Sequence, residues 1–99
     1  MESREIGVDT PSQPSARDLT SECTGFLADV AGGEDGLLNV FVPHATAGLL
    51  VMELGSGSDQ DLLDTVAAVL RRDDRWRHRH GSPGHGADHV LPLLAAPSV

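Results

Sequence analysis

Asn39-Val-Phe-Val-Pro-His-Ala-Thr-Ala-Gly-Leu-Leu-Val-Met-Glu53 decides the architecture expected of this chain. β-Formers lead into Pro43-His44, a turn follows, and a second apolar run ends near Glu53. Successive strand residues point to opposite faces, so a histidine at a strand end can leave the core and face a pocket. Thr46 offers a hydroxyl, and Gly48 lets the main chain bend or come close to a ligand. Leu37–Val42 and Leu49–Leu54 are nearly continuous apolar runs, which predicts two central strands buried on both faces. A purely structural hairpin with one polar bend accounts for the same pattern.

The flanking segments read as helices. Asp18-Leu-Thr20-Ser21-Glu22 supplies cap-type residues and an acid for a first turn. Cys23, Phe26, Leu27 and Val30 then recur on one stripe until Gly32-Gly33 stops them. After the Gly55–Ser58 loop, Ser58 reads as a cap with Asp61 in the first turn, and Leu62, Leu63, Val66, Val69 and Leu70 form an apolar face. Residues 87–95 turn apolar around Pro92, which predicts a short kinked helix. Residues 1–17 are polar, and Ile6 and Val8 on one face suggest a short edge strand there. Residues 18–99 make up the domain proper.

Composition narrows the function. A chain of 99 residues is one domain near the lower size limit for folding on a single core. Phe26, Phe41 and Trp76 are its only Phe or Trp residues and Tyr is absent, so Leu, Val and Ala must build that core. The formal net charge is −8, which repels phosphate backbones and argues against nucleic-acid binding. Every basic side chain is an arginine, and Arg71, Arg72, Arg75, Arg77 and Arg79 lie together. They read either as a solvated helix end favoured by the helix dipole or as a local anion site. Cys23 is the only cysteine, so no internal disulfide forms. With no secretory signal and no apolar run of membrane-spanning length, a cytoplasmic protein is expected.

Four of the five histidines fall between Asp73 and His89. His78-x-His80 puts two imidazoles on one side of an extended segment, and His85-x-x-x-His89 does so on a helix. Both spacings suit a divalent metal. His44 is available from the hairpin, and Asp88 and Glu53 are placed to orient imidazoles or act as a base. A solvated histidine-rich loop is the plainer account, and Gly81-Ser-Pro-Gly84 adds mobility to it. Gly-x-Ser-x-Gly, the P-loop ending and a calcium loop are all missing.

Asp18-Leu-Thr20, Phe-Val-Pro-His-Ala-Thr-Ala-Gly-Leu, Glu53, Asp61-Leu62, Trp76-Arg-His78 and Ala87-Asp-His89 follow one another in a recognisable order. Together they resemble the secondary thiamine-phosphate synthase family, the YjbQ-type proteins, over nearly all of residues 18–99. The resemblance implies an α+β fold, a sandwich of mixed β-strands with interleaved helices, assembled as a homotrimer. It matches His44, His78 and His89 to the family's histidines as a metal or anion site, the metal being zinc or magnesium, and Glu53 to its hairpin acid. His44 and Glu53 are then the catalytic candidates, with Thr46, Gly48 and Arg77 for a phosphorylated small molecule. Asp61 matches the helix-start acid, while His80, His85 and Asp88 are weaker candidates. Ala45 stands where the family commonly has Thr. Family members also continue past the equivalent of Val99 into further strands, so the C-terminal strands are expected to be missing here. The implied reaction joins a hydroxymethylpyrimidine diphosphate to a thiazole phosphate. A non-catalytic metal- or phosphate-binding trimer and an inactive truncated form are the alternatives.

Overall fold

The structure is a computed structural model describing residues 1–99. It contains two α-helices, α1 (Thr20–Val30) and α2 (Ser58–Val69), and one 3-10 helix (His85–Leu93). The chain divides into two compact units, Met1–Leu38 and Asn39–Val99. No helix is long and apolar enough to cross a membrane.

In the first unit, the Asp18 carboxylate accepts the Thr20 N–H at 2.9 Å just ahead of α1, whose N-cap position is Leu19 and not one of the cap-type side chains expected there. Hydrogen bonds from the Thr20 side chain and main chain hold the Asp18 pKa below its usual value. Gly32 and Gly33 end the helix with φ of 57° and 85°, left-handed conformations that glycine adopts without a Cβ clash. Arg4 pairs with Asp29 at 2.8 Å and lies 5.2 Å from the centre of the Phe26 ring. Residues 1–17 form no strand, contrary to the edge strand expected around Ile6 and Val8. No residue of this unit is fully buried.

In the second unit, α2 starts from Gly57, whose φ of 90° turns the chain into the helix; Ser58 is its first helical residue and makes no capping bond. Asp59 and Asp61 stand in its first turn, where the dipole favours acids. The helix ends against Leu70, which forms the core of the unit with Ala87 and Ala95.

The expected sandwich of mixed strands is not present. One isolated antiparallel bridge, Phe41 with Ser98, is the whole of the β-structure. Val40 N–H donates to the Val99 carbonyl (2.7 Å), Val99 N–H returns to Val40 (2.9 Å), and Val42 N–H reaches Pro97 (2.8 Å). The first apolar run therefore lies along the chain's last residues and not against the second run. Leu49 bonds to Ala96 (2.8 Å), and Leu50 to Leu54 have no ladder partner. A strand persists only where a neighbour takes up its N–H and C=O groups, and these residues meet none. The predicted burial on both faces fails for the same reason: Val51 is 85% exposed and Phe41 62%.

Candidate metal centre

Two stretches build the centre, the loop 71–80 after α2 and the 3-10 helix. The loop turns about Trp76, whose indole Nε1–H donates to the Arg71 carbonyl at 2.7 Å. Arg79 folds back and donates to the carbonyls of Trp76 (3.1 Å) and Asp74 (3.0 Å). Arg75 forks onto the Asp73 carboxylate at 2.7 and 2.8 Å, and that hydrogen bonding is the main cause of a lowered Asp73 pKa. Arg72 reaches across to Asp88 on the 3-10 helix. Three of the clustered arginines thus tie down main chain or carboxylates, whereas Arg71 and Arg77 make no ion pair.

Glycines let the 3-10 helix approach. A Cβ on Gly84 would lie 2.7 Å from the Arg72 carbonyl, and one on Gly86 would lie 2.7 Å from the His78 carbonyl oxygen and 2.9 Å from Trp76 Cγ. Neither separation is tolerable for a real side chain. Gly84 also has a φ of 76°, so it both turns the chain and packs. Of the Gly81–Gly84 segment, Gly84 is the residue that packs closely against Arg72.

Four imidazoles meet as a result. His78, His80 and His85 each present a ring nitrogen, all within 4.8 Å of one another. Ring centres are 4.0 Å apart for His78 and His80, and 4.1 Å for His78 and His89. The Nε2 atoms of His85 and His89 lie 2.9 Å apart, so one carries a proton and the other accepts it. His78 Nε2 is shielded from solvent and has no hydrogen-bond partner. Desolvation, then the positive charge of His80, His89 and His85, pushes the His78 pKa below its usual value. A neutral imidazole with an idle lone pair is the form that ligates a metal.

The donor chemistry fits one kind of ion. Imidazole nitrogens suit zinc, copper or nickel, whereas magnesium prefers oxygen ligands and retains water. His78, His80 and His85 would hold such an ion, with His89 against His85.

The other sequence-predicted residues stand outside this cluster. His44 is exposed, and its Nδ1 accepts the Thr46 N–H at 3.1 Å and faces Thr46 Oγ1 at the same distance. Its ring stacks on none of the other four. A Cβ on Gly48 would collide with the main chain of Ala95, so this glycine serves a chain-to-chain approach. Glu53, Asp61 and Arg77 are exposed, and their side chains form no ion pair or hydrogen bond. A cleft of about 290 Å³ opens beside His78, where Arg72 and Arg79 are balanced by Asp73 and Asp74. The packing role of Gly86 escaped the sequence reading, although the Gly84-x-Gly86 spacing ahead of an apolar stretch was its visible signal.

No solved structure matches the chain. UPF0047 proteins of Mycobacterium bovis and of two Mycobacterium tuberculosis strains are each 58% identical to it over 82 residues. That stretch is 83% of this chain and 59 to 61% of each relative, so the chain spans about three-fifths of their length. The family model described as UPF0047 protein YjbQ-like matches residues 4–99, and the chain belongs to that family.

Proposed function

We propose that the histidine cluster binds a zinc-class divalent ion and serves transfer chemistry on phosphorylated small molecules. The observation that carries this reading is His78 Nε2, a shielded ring nitrogen without a partner among three other imidazoles. The likeness to secondary thiamine-phosphate synthases names the substrates. In that reaction the thiazole nitrogen forms a bond to the pyrimidine methylene carbon as its C–O bond breaks, and pyrophosphate leaves with the electron pair.

A bound ion supplies positive charge that favours the departing pyrophosphate. The chain's own residues do the rest. Arg77 is exposed and unpaired, and so free to meet an anion. His44, steadied by Thr46 and outside the cluster to which the resemblance matched it, is taken as an acid–base candidate in place of a ligand, and Glu53 keeps its orienting role. The exposed Phe41 and Val51 support self-association, for which the resemblance supplies the homotrimer. The resemblance and the single cysteine favour a cytoplasmic setting.

Metal analysis of the purified chain, with a turnover assay on the two phosphorylated precursors, tests the proposal. Bound zinc with thiamine phosphate formed supports it. A second reading, a metal-binding protein without catalysis, is favoured by the charge balance of the cleft beside His78. Zinc bound with no product selects that second reading, and failure to bind zinc removes both.

A further inference from the structure

The proposed ion needs a bare nitrogen on His85, yet an imidazole can carry its proton on either side. Asp88 lies three residues on, with its Oδ2 3.3 Å from His85 Nδ1. Its other oxygen, Oδ1, is held by the Arg72 guanidinium. On the far side of the ring, His85 Nε2 faces His89 Nε2.

We infer that Asp88, anchored by Arg72, is the positioning residue that keeps the His85 proton on Nδ1 and leaves its Nε2 lone pair to the cluster. An ionised carboxylate has only lone pairs to offer, so a proton on Nδ1 faces negative charge and a lone pair there faces repulsion. Ligating histidines commonly have a carboxylate on the ring nitrogen turned from the metal, which fixes both tautomer and orientation. Arg72 supplies what a free aspartate lacks. It extends from two residues past Leu70 and grips the carboxylate across the site, limiting the rotation by which Oδ2 would leave Nδ1. Arg72 and Asp88 are 40% and 29% exposed, so their pairing matters here for aim more than for stability.

The assignment extends to His89. With the His85 proton on Nδ1, the 2.9 Å contact requires His89 Nε2 to be the donor in the ion-free chain. The order runs from the Arg72 guanidinium on Asp88, through the charge of that carboxylate 3.3 Å from His85 Nδ1, to His89 Nε2–H donating to the His85 lone pair. Ion binding displaces His89 from that lone pair, so the His89 ring must turn or exchange its tautomer.

This inference rests on the metal reading for its purpose but not for its test. Nitrogen-15 NMR of the imidazole rings in the zinc-free chain reports which nitrogen of His85 carries the proton. The expected result is Nδ1–H in the unaltered protein and a shift toward Nε2–H in Asp88→Ala. Zinc affinity in Asp88→Ala falls by about 10- to 100-fold. Asp88→Asn keeps the shape but has one acceptor oxygen for both Arg72 and His85, so with that oxygen on Arg72 its amide N–H faces Nδ1 and the His85 proton shifts toward Nε2 there too, which covers the case in which Asp88→Ala fails to fold. A His85 proton on Nε2 in the unaltered protein overturns the inference, as does an unchanged tautomer in a folded Asp88→Ala. If the unaltered chain binds no zinc but His85 shows the expected tautomer and its dependence on Asp88, the metal proposal fails and the positioning role stands.

Discussion

Placing one methyl group on Gly86 tests whether the centre depends on close approach of the 3-10 helix to the loop at Trp76. The added Cβ would lie 2.7 Å from the His78 carbonyl oxygen and 2.9 Å from Trp76 Cγ, where ordinary contact begins near 3.4 Å. Relief requires the His85–His89 segment to withdraw by about 0.7 Å or more, because Trp76 Cβ lies closer still, and overpacking of this kind costs about 1–3 kcal/mol. Two nitrogens on one zinc, each ~2.0–2.1 Å from it, can be at most ~4 Å apart. The cluster nitrogens already spread over as much as 4.8 Å, so further withdrawal acts directly on binding. Competition against a chromophoric chelator should show zinc affinity of Gly86→Ala reduced about tenfold or more, where 1.4 kcal/mol is a factor of ten. Thermal melting of the zinc-free protein should fall by several degrees, at ~4–8 °C per kcal/mol for a chain of this size. Gly25→Ala is the control: nothing lies within 4 Å of its Cβ site inside α1, and stability should rise by about 0.5–1 kcal/mol. Unchanged zinc affinity and melting in Gly86→Ala would refute the close-approach argument.

His44→Ala should leave zinc stoichiometry unchanged while lowering turnover by about 10²–10⁴-fold, as loss of an acid–base group does; a loss of zinc would place His44 in the metal shell. The lowered His78 pKa means the folded state binds fewer protons than the unfolded chain. Stability from this group is therefore full above 6.5, the unfolded value, and falls as the pH drops through that value toward the folded one; chelator-treated protein melted at steps from about pH 8 to pH 5 checks the sign. Asp18→Ala removes the acceptor of the Thr20 N–H and should reduce helicity, read by circular dichroism through urea unfolding. Trp76→Phe deletes the bond to the Arg71 carbonyl and should cost about 0.5–1.5 kcal/mol in the same unfolding assay.

Local patterns in the sequence located the helices because their causes are local. The stripe from Cys23 to Val30 and the double glycine after it define α1, and the acids at Asp59 and Asp61 mark the start of α2. The apolar stretch around Pro92 likewise becomes the 3-10 helix, in which the missing proline N–H removes one helical bond. The histidine content of 78–89 was equally plain, and His78, His80, His85 and His89 do converge. How they converge was not plain, because Gly84 and Gly86 act through surfaces remote along the chain.

The sequence by itself determined which segments are helical, which residue types can ligate a metal, and which family the motifs resemble. Only the tertiary structure decided what each apolar run meets: Phe41 bridges Ser98, and Leu50 to Leu54 pair with nothing. It alone chose Asp88 and Arg72 as neighbours of His85, and set His44 beside Thr46. The difference is physical. A helix satisfies its hydrogen bonds within a few residues, whereas a strand, a salt bridge or a metal centre is completed by atoms that the intervening chain must bring into place.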